Sequence, residues 1–166
     1  MTNYLLSIDP SIKNTGFTLW ENKKPIWINS YSFKNYNYDW KKIQLQISYL
    51  IDMNKYDLLI ERGTFHSKNG IGYETQEHLR GFIAGTFNKL LTKNMLISPK
   101  EWQNWYLKEL RYEEDDLFKN KKWNKEKSLY IVGGLIRQQK WNIKISNHDE
   151  ADSLLIGWYY LNKENK

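Results

Sequence analysis

The chain has 166 residues and no cysteine, so it is long enough to bury a core unaided, and disulfides and thiolate metal sites are excluded. Lys and Arg number 25 against 19 Asp and Glu, a net charge of +6 that favours a polyanionic partner, although the excess of Lys over Arg is also what an AT-rich genome produces. No apolar run approaches the ~18–20 residues of a membrane span and no signal-peptide pattern is read, so the expectation is one cytoplasmic domain over 1–166 with no membrane partner.

Residues 3–9 read as a short apolar strand. Pro10, Ser11 and the Asn14-Thr15-Gly16 triplet mark a turn, 16–21 run back as a second strand, and 26–33 alternate as a third after a turn at 22–25. Asp39 is placed to cap a helix whose Trp40, Ile43, Ile47, Leu50 and Ile51 share one face. The run 57–61 is too short for a helix and reads as a buried parallel strand. After a glycine-containing loop, 73–91 predicts a second helix with Leu79, Phe82, Ile83, Phe87 and Leu90 inward. A fifth strand is expected over 94–98, and Pro99 opens a short helix to 107. The stretch 108–122, acidic and then basic, reads as a solvated connection. Helices over 125–139 and from 147 or 148 to 161 complete the order βββ-α-β-α-β-α-α-α, an α/β domain with a mixed five-stranded sheet flanked by helices. The aromatic content of 16%, with eight Trp, could serve base stacking but is expected to be mostly core.

Two carboxylates stand out because each ends an apolar strand. Asp9 has the ordinary reading of a turn cap, and Glu61 that of a partner to Arg62 or a lysine. A meander followed by a crossover helix lets the first and fourth strands become neighbours, which would set Asp9 beside Glu61. Carboxylates so close repel unless a proton or a divalent cation neutralises them. Asp149 and Asp152 are spaced i,i+3 at the start of the last helix, where the helix dipole alone would accommodate Asp149. Four oxygen ligands without cysteine favour Mg²⁺ or Mn²⁺ over zinc. Acids within a basic protein are also the charge plan of a nuclease, in which two ions can serve one phosphodiester.

These residues carry a resemblance. Residues 6–16 (Leu-Ser-Ile-Asp-Pro-Ser-Ile-Lys-Asn-Thr-Gly) resemble the opening strand and turn of the RuvC-type Holliday junction resolvases of the ribonuclease H-like superfamily. Residues 57–61 resemble that family's second catalytic strand, and 148–152 resemble its C-terminal Asp-x-x-Asp helix. Order and spacing agree over nearly the whole chain, with the nearest likeness to short resolvases of phages of low-GC Gram-positive bacteria. The resemblance implies a ribonuclease H-like fold and a catalytic, metal-binding tetrad of Asp9, Glu61, Asp149 and Asp152 holding Mg²⁺ or Mn²⁺, two ions per site. It implies DNA contacts from Phe65 as a wedge, Lys68, Arg80 on a helix near a dimer interface, and Lys127 facing phosphate. Gln103 stands where many relatives have a lysine, with Lys100 a stand-in, and one extra residue separates Glu61 from Phe65.

The expected activity is therefore a Mg²⁺-dependent crossover junction endonuclease. It would act as a homodimer on four-way branched DNA, giving paired nicks with 5′-phosphate and 3′-hydroxyl ends. The alternatives are a related nuclease acting on forks, flaps or RNA–DNA hybrids, an inactive branched-DNA binding protein, and a basic scaffold whose acids are structural. Whether helicases act as partners is not legible.

Overall fold

The computed structural model describes residues 4–11, 13–32, 39–50, 56–63, 70–109, 117 and 122–163. Strands β1 (Tyr4–Asp9), β2 (Thr15–Glu21), β3 (Lys24–Tyr31), β4 (Tyr56–Glu61) and β5 (Leu96–Ile97) form one sheet in the order β3-β2-β1-β4-β5. β1 is antiparallel to β2 and parallel to β4, the neighbour relation that the meander and crossover predict. Helices α1 (Asp39–Leu50), α2 (Gly70–Thr86), α3 (Pro99–Glu109), α4 (Lys125–Gln139) and α5 (His148–Asn162) flank it.

Period-two alternation splits the core between the two sheet faces. Leu6 and Ile8 of β1 and Leu58 and Ile60 of β4 face α1 and α2, packing with Ile43, Ile47, Leu79, Ile83 and Phe87. Leu5 and Leu59 face the other way, into a core with Trp102, Tyr106, Ile131, Val132, Leu154 and Leu155 from α3, α4 and α5. Asp9 and Glu61 have the parity of this second face.

Several boundaries differ from the sequence expectation, each for a local reason. β3 starts at Lys24 and includes Pro25, which pairs with Trp20 just past a register shift at Leu19. β3 is an edge strand, where a proline without an N–H is tolerated. The β2–β3 turn shrinks to Asn22-Lys23, with Asn22 in the left-handed region at φ 56°. α2 runs from Gly70 to Thr86 rather than over 73–91, and the chain turns at Asn88, also left-handed. Leu90, beyond that turn, is 85% exposed, and Phe82, about 100° round the helix from buried Ile83, is 49% exposed; neither is inward. The fifth strand is only two residues, because Lys93–Met95 form a 3₁₀ turn. The side chains of Trp40, Leu50 and Ile51, and most of the 108–122 stretch, lie outside the described residues.

No described helix is long and apolar enough to cross a membrane.

Candidate active site

The parallel register of β1 on β4 pairs Ser7 with Leu59 and Ile8 with Ile60. One step further along both strands stand Asp9 and Glu61, at the same end of the sheet and on the same face. The local sequence produces this directly: the buried stretch of each strand, Leu5–Ile8 in β1 and Leu58–Ile60 in β4, ends on an acid.

α5 supplies the other two acids, and two glycines let it approach. A Cβ on Gly16 would lie 1.9 Å from the Asp149 carbonyl oxygen, so only glycine lets β2 meet the first turn of α5. A Cβ on Gly157 would lie 2.2 Å from Trp20 Nε1 and 2.6 Å from Ser7 Oγ. Between them a buried polar ladder ties helix to sheet. Trp20 Nε1 donates to Ser7 Oγ at 2.9 Å, Ser7 Oγ donates to the Ser153 carbonyl at 2.7 Å, and the Thr18 and Ser153 hydroxyls share a bond of 2.8 Å. Asn147 caps α5 by accepting from Glu150 N at 3.0 Å. Glu150 is buried as well, but it accepts from Ser30 Oγ and Ser146 N and is held as a structural group.

Asp9, Glu61 and Asp152 hold protons more tightly than ordinary carboxylates, first because they are buried and then because other acids are near. Asp9 is pushed well above the usual carboxylate range by burial, then by Glu61, Asp152 and Asp149; the Arg80 guanidinium pulls the other way. Burial raises Glu61 to about 7, with the Trp102 indole, which donates to Oε2 at 2.7 Å, and Arg80 opposing and Asp152 reinforcing. Burial likewise raises Asp152 to about 7, against the Ser128 hydroxyl, which donates to Oδ1 at 2.5 Å, and with Asp149 reinforcing. Asp149 accepts from Asn14 Nδ2 at 2.7 Å, and His148 Nε2 stands 3.2 Å from its Oδ1.

Three of these partners were not legible as site residues: Trp102, Ser128 and Asn14. The signal that could have found Ser128 is its place four residues after Asn124, the cap of α4, facing α5. Arg80, which the resemblance implies as a DNA contact on a helix near a dimer interface, is turned into the protein. It is 2% exposed, its Nε donates to the Glu61 carbonyl at 2.6 Å, and its terminal nitrogen pairs with Glu77 at 3.1 Å. The guanidinium is therefore a counter-charge to Asp9 and Glu61. Lys127 is also buried, with its ammonium donating to the Lys122 carbonyl, so it does not present an open phosphate contact. Lys100 is exposed. Phe65 and Lys68 lie outside the described residues.

Among the described residues no three acidic or imidazole side chains form a finished cation cage. The donor set nevertheless fits a hard divalent cation. It is all oxygen, it comes from three elements, and its repulsion is only partly offset by Arg80 near Asp9 and Glu61 and by Lys125 near Asp152.

No protein-family model matches the sequence, and no curated protein matches it. Solved structures do. The chain is similar to Thermus thermophilus RuvC, with a TM-score of 0.57 at 12% identity, covering 98% of this chain and 96% of that one. It is similar over the same shares to T. thermophilus RuvC in complex with Holliday junction substrate, with a TM-score of 0.56 at 11% identity. At identities this low the likeness is one of fold: the five-stranded mixed sheet and its flanking helices are the ribonuclease H-like fold of RuvC.

Proposed function

We propose that this chain is a single-domain, divalent-cation-dependent DNA endonuclease of the RuvC type, which resolves four-way junctions by paired symmetric nicks. The observation that carries this reading is that buried Asp9 lies within electrostatic reach of Glu61, Asp149 and Asp152, acids drawn together from both ends of the chain. It is supported by a fold shared with a RuvC whose structure holds Holliday junction substrate.

Asp9, Glu61, Asp149 and Asp152 would hold Mg²⁺ or Mn²⁺, one or two ions. Bound there, the cation would neutralise the acids, activate a water for attack on phosphorus and stabilise the departing 3′ oxygen. The chain's own residues do the rest. Arg80 tempers the negative field at Asp9 and Glu61, and Trp102 and Ser128 fix one oxygen each of Glu61 and Asp152. Exposed lysines, Lys100 and Lys125 among them, attract the phosphate backbone, so affinity falls steeply with salt. Symmetric cutting of a four-way junction needs two such sites about a two-fold axis, which calls for a homodimer. The nicks leave 5′-phosphate and 3′-hydroxyl ends that a ligase can join.

The test uses an end-labelled immobile junction with fork, RNA–DNA hybrid and linear duplex controls. Wild type with Mg²⁺ cuts the junction in pairs and does nothing in EDTA, while Asp9→Asn and Glu61→Gln shift the junction on a gel without cutting it. Dominant cleavage of the hybrid or fork would move the substrate to another class. Cutting in EDTA, or by both variants, would remove the mechanism.

A further inference from the structure

The aromatic wall behind the acids connects the two carboxylates, Glu61 and Asp152, that Trp102 and Ser128 hold. Trp102 is 1% exposed, and a buried indole N–H needs an acceptor. Its acceptor is Glu61 Oε2, at 2.7 Å, rather than a backbone carbonyl. The ring cannot swing away: it meets Trp123 edge-to-face at 4.9 Å between centroids and Tyr106 at 6.3 Å, and Tyr106 is itself anchored by its hydroxyl to the Leu155 carbonyl of α5.

Trp123 makes the complementary connection. Its Nε1 donates to Ser128 Oγ at 3.1 Å. Having accepted there, the hydroxyl has one proton to give, and it lies 2.5 Å from Asp152 Oδ1 against 3.5 Å from the Asn124 carbonyl. The nearer, charged acceptor takes it. Two carboxylates from different elements, β4 and α5, are thus oriented from one rigid pair of rings.

We propose that Trp102 and Trp123 are positioning residues for cation binding, Trp102 acting on Glu61 and Trp123, beside Ser128, on Asp152. Each carboxylate has an oxygen held by a neutral donor, Oε2 in Glu61 and Oδ1 in Asp152. The rotational freedom that an exposed Glu or Asp would lose on binding is lost on folding instead. The proposal rests on the nuclease reading only for the use to which the ion is put.

The experiment counts bound Mn²⁺ without DNA, from the electron paramagnetic resonance signal of the free ion. It compares wild type with Trp102→Phe, which keeps a ring and loses the N–H, and with Ser128→Ala, which leaves both indoles in place. Each variant is expected to raise the half-saturating Mn²⁺ concentration about tenfold, while junction affinity in EDTA stays at the wild-type value. Should Trp102→Phe fail to fold, Trp123→Phe, which removes the indole N–H that faces Ser128, decides the proposal in its place. Unchanged Mn²⁺ binding in the folded variants, or no saturable Mn²⁺ binding by wild type, would overturn the proposal. The two readings separate cleanly. A wild type that cuts junctions while its variants bind Mn²⁺ normally loses the positioning role and keeps the nuclease. Shifted Mn²⁺ binding in a protein that cuts no branched DNA does the reverse.

Discussion

The two faces of the sheet are built from different materials. The face under α1 and α2 is aliphatic, with Leu6, Ile8, Ile43, Ile47, Leu58, Ile60 and Ile83 closing over Phe17 and Phe87. The face under α3, α4 and α5 is threaded with polar groups: Ser7, Thr18, Ser153, Ser128 and the indoles of Trp20, Trp102 and Trp123, all bonded. Apolar burial is non-directional and holds strands together; hydrogen bonds fix angles. The acids sit on the second face, where orientation is determined. The difference separates a stabilising side from a site-building side.

The comparison breaks first, and most severely, at the acids themselves. Asp9→Asn or Glu61→Gln should lower junction cleavage by a factor of about 10³ or more without weakening junction binding in EDTA, measured by single-turnover assay and gel shift. Next comes Gly16→Ala, whose Cβ would press on the Asp149 backbone at 1.9 Å. It should both lower Tm and abolish cleavage, since α5 must back away from the sheet. Ile83→Ala, wholly buried on the other face, should cost about 2–5 kcal/mol of stability in a denaturant titration. Its cleavage rate per folded molecule should stay at the wild-type level, and a large loss there would erase the distinction between the faces.

The acids also make a smaller prediction about pH. In the folded chain Asp9, Glu61 and Asp152 hold protons more tightly than ordinary carboxylates, Glu61 and Asp152 up to about 7. Between pH about 4 and 7 the folded state therefore binds more protons than the unfolded one, and stability falls as pH rises. In EDTA, Tm should drop by several degrees from pH 5 to pH 8, and millimolar Mg²⁺ should restore it at pH 8. A flat profile would mean that neither burial nor neighbouring charge holds protons on these acids. The smallest effect belongs to exposed Lys100: Lys100→Ala should weaken junction binding only slightly and flatten its log–log salt dependence by about one unit of slope.

The strands, their pairing and the four acids were legible because they rest on period and parity, which a single sequence carries. Asp9 and Glu61 were visible as charges ending apolar runs, and the i,i+3 pair Asp149 and Asp152 as a shared stretch of one helix. What was not legible depends on neighbours remote in the chain. Trp102 reads as one more core aromatic until β4 brings Glu61 to its N–H. The resemblance implies DNA contacts from Arg80 and Lys127, yet both are buried, with Arg80 on the Glu61 carbonyl and Lys127 on the Lys122 carbonyl. Phe82 and Leu90 fit an inward helical stripe by spacing, but α2 ends before Leu90 and turns Phe82 outward.

The most direct measurement is anomalous scattering from crystals of the wild-type protein and of Asp9→Asn grown with Mn²⁺. A peak bounded by the carboxylates of Asp9, Glu61 and the two aspartates of α5, absent from the variant, is the predicted result. Manganese bound elsewhere, or those side chains refined without an ion at saturating Mn²⁺, would contradict the account.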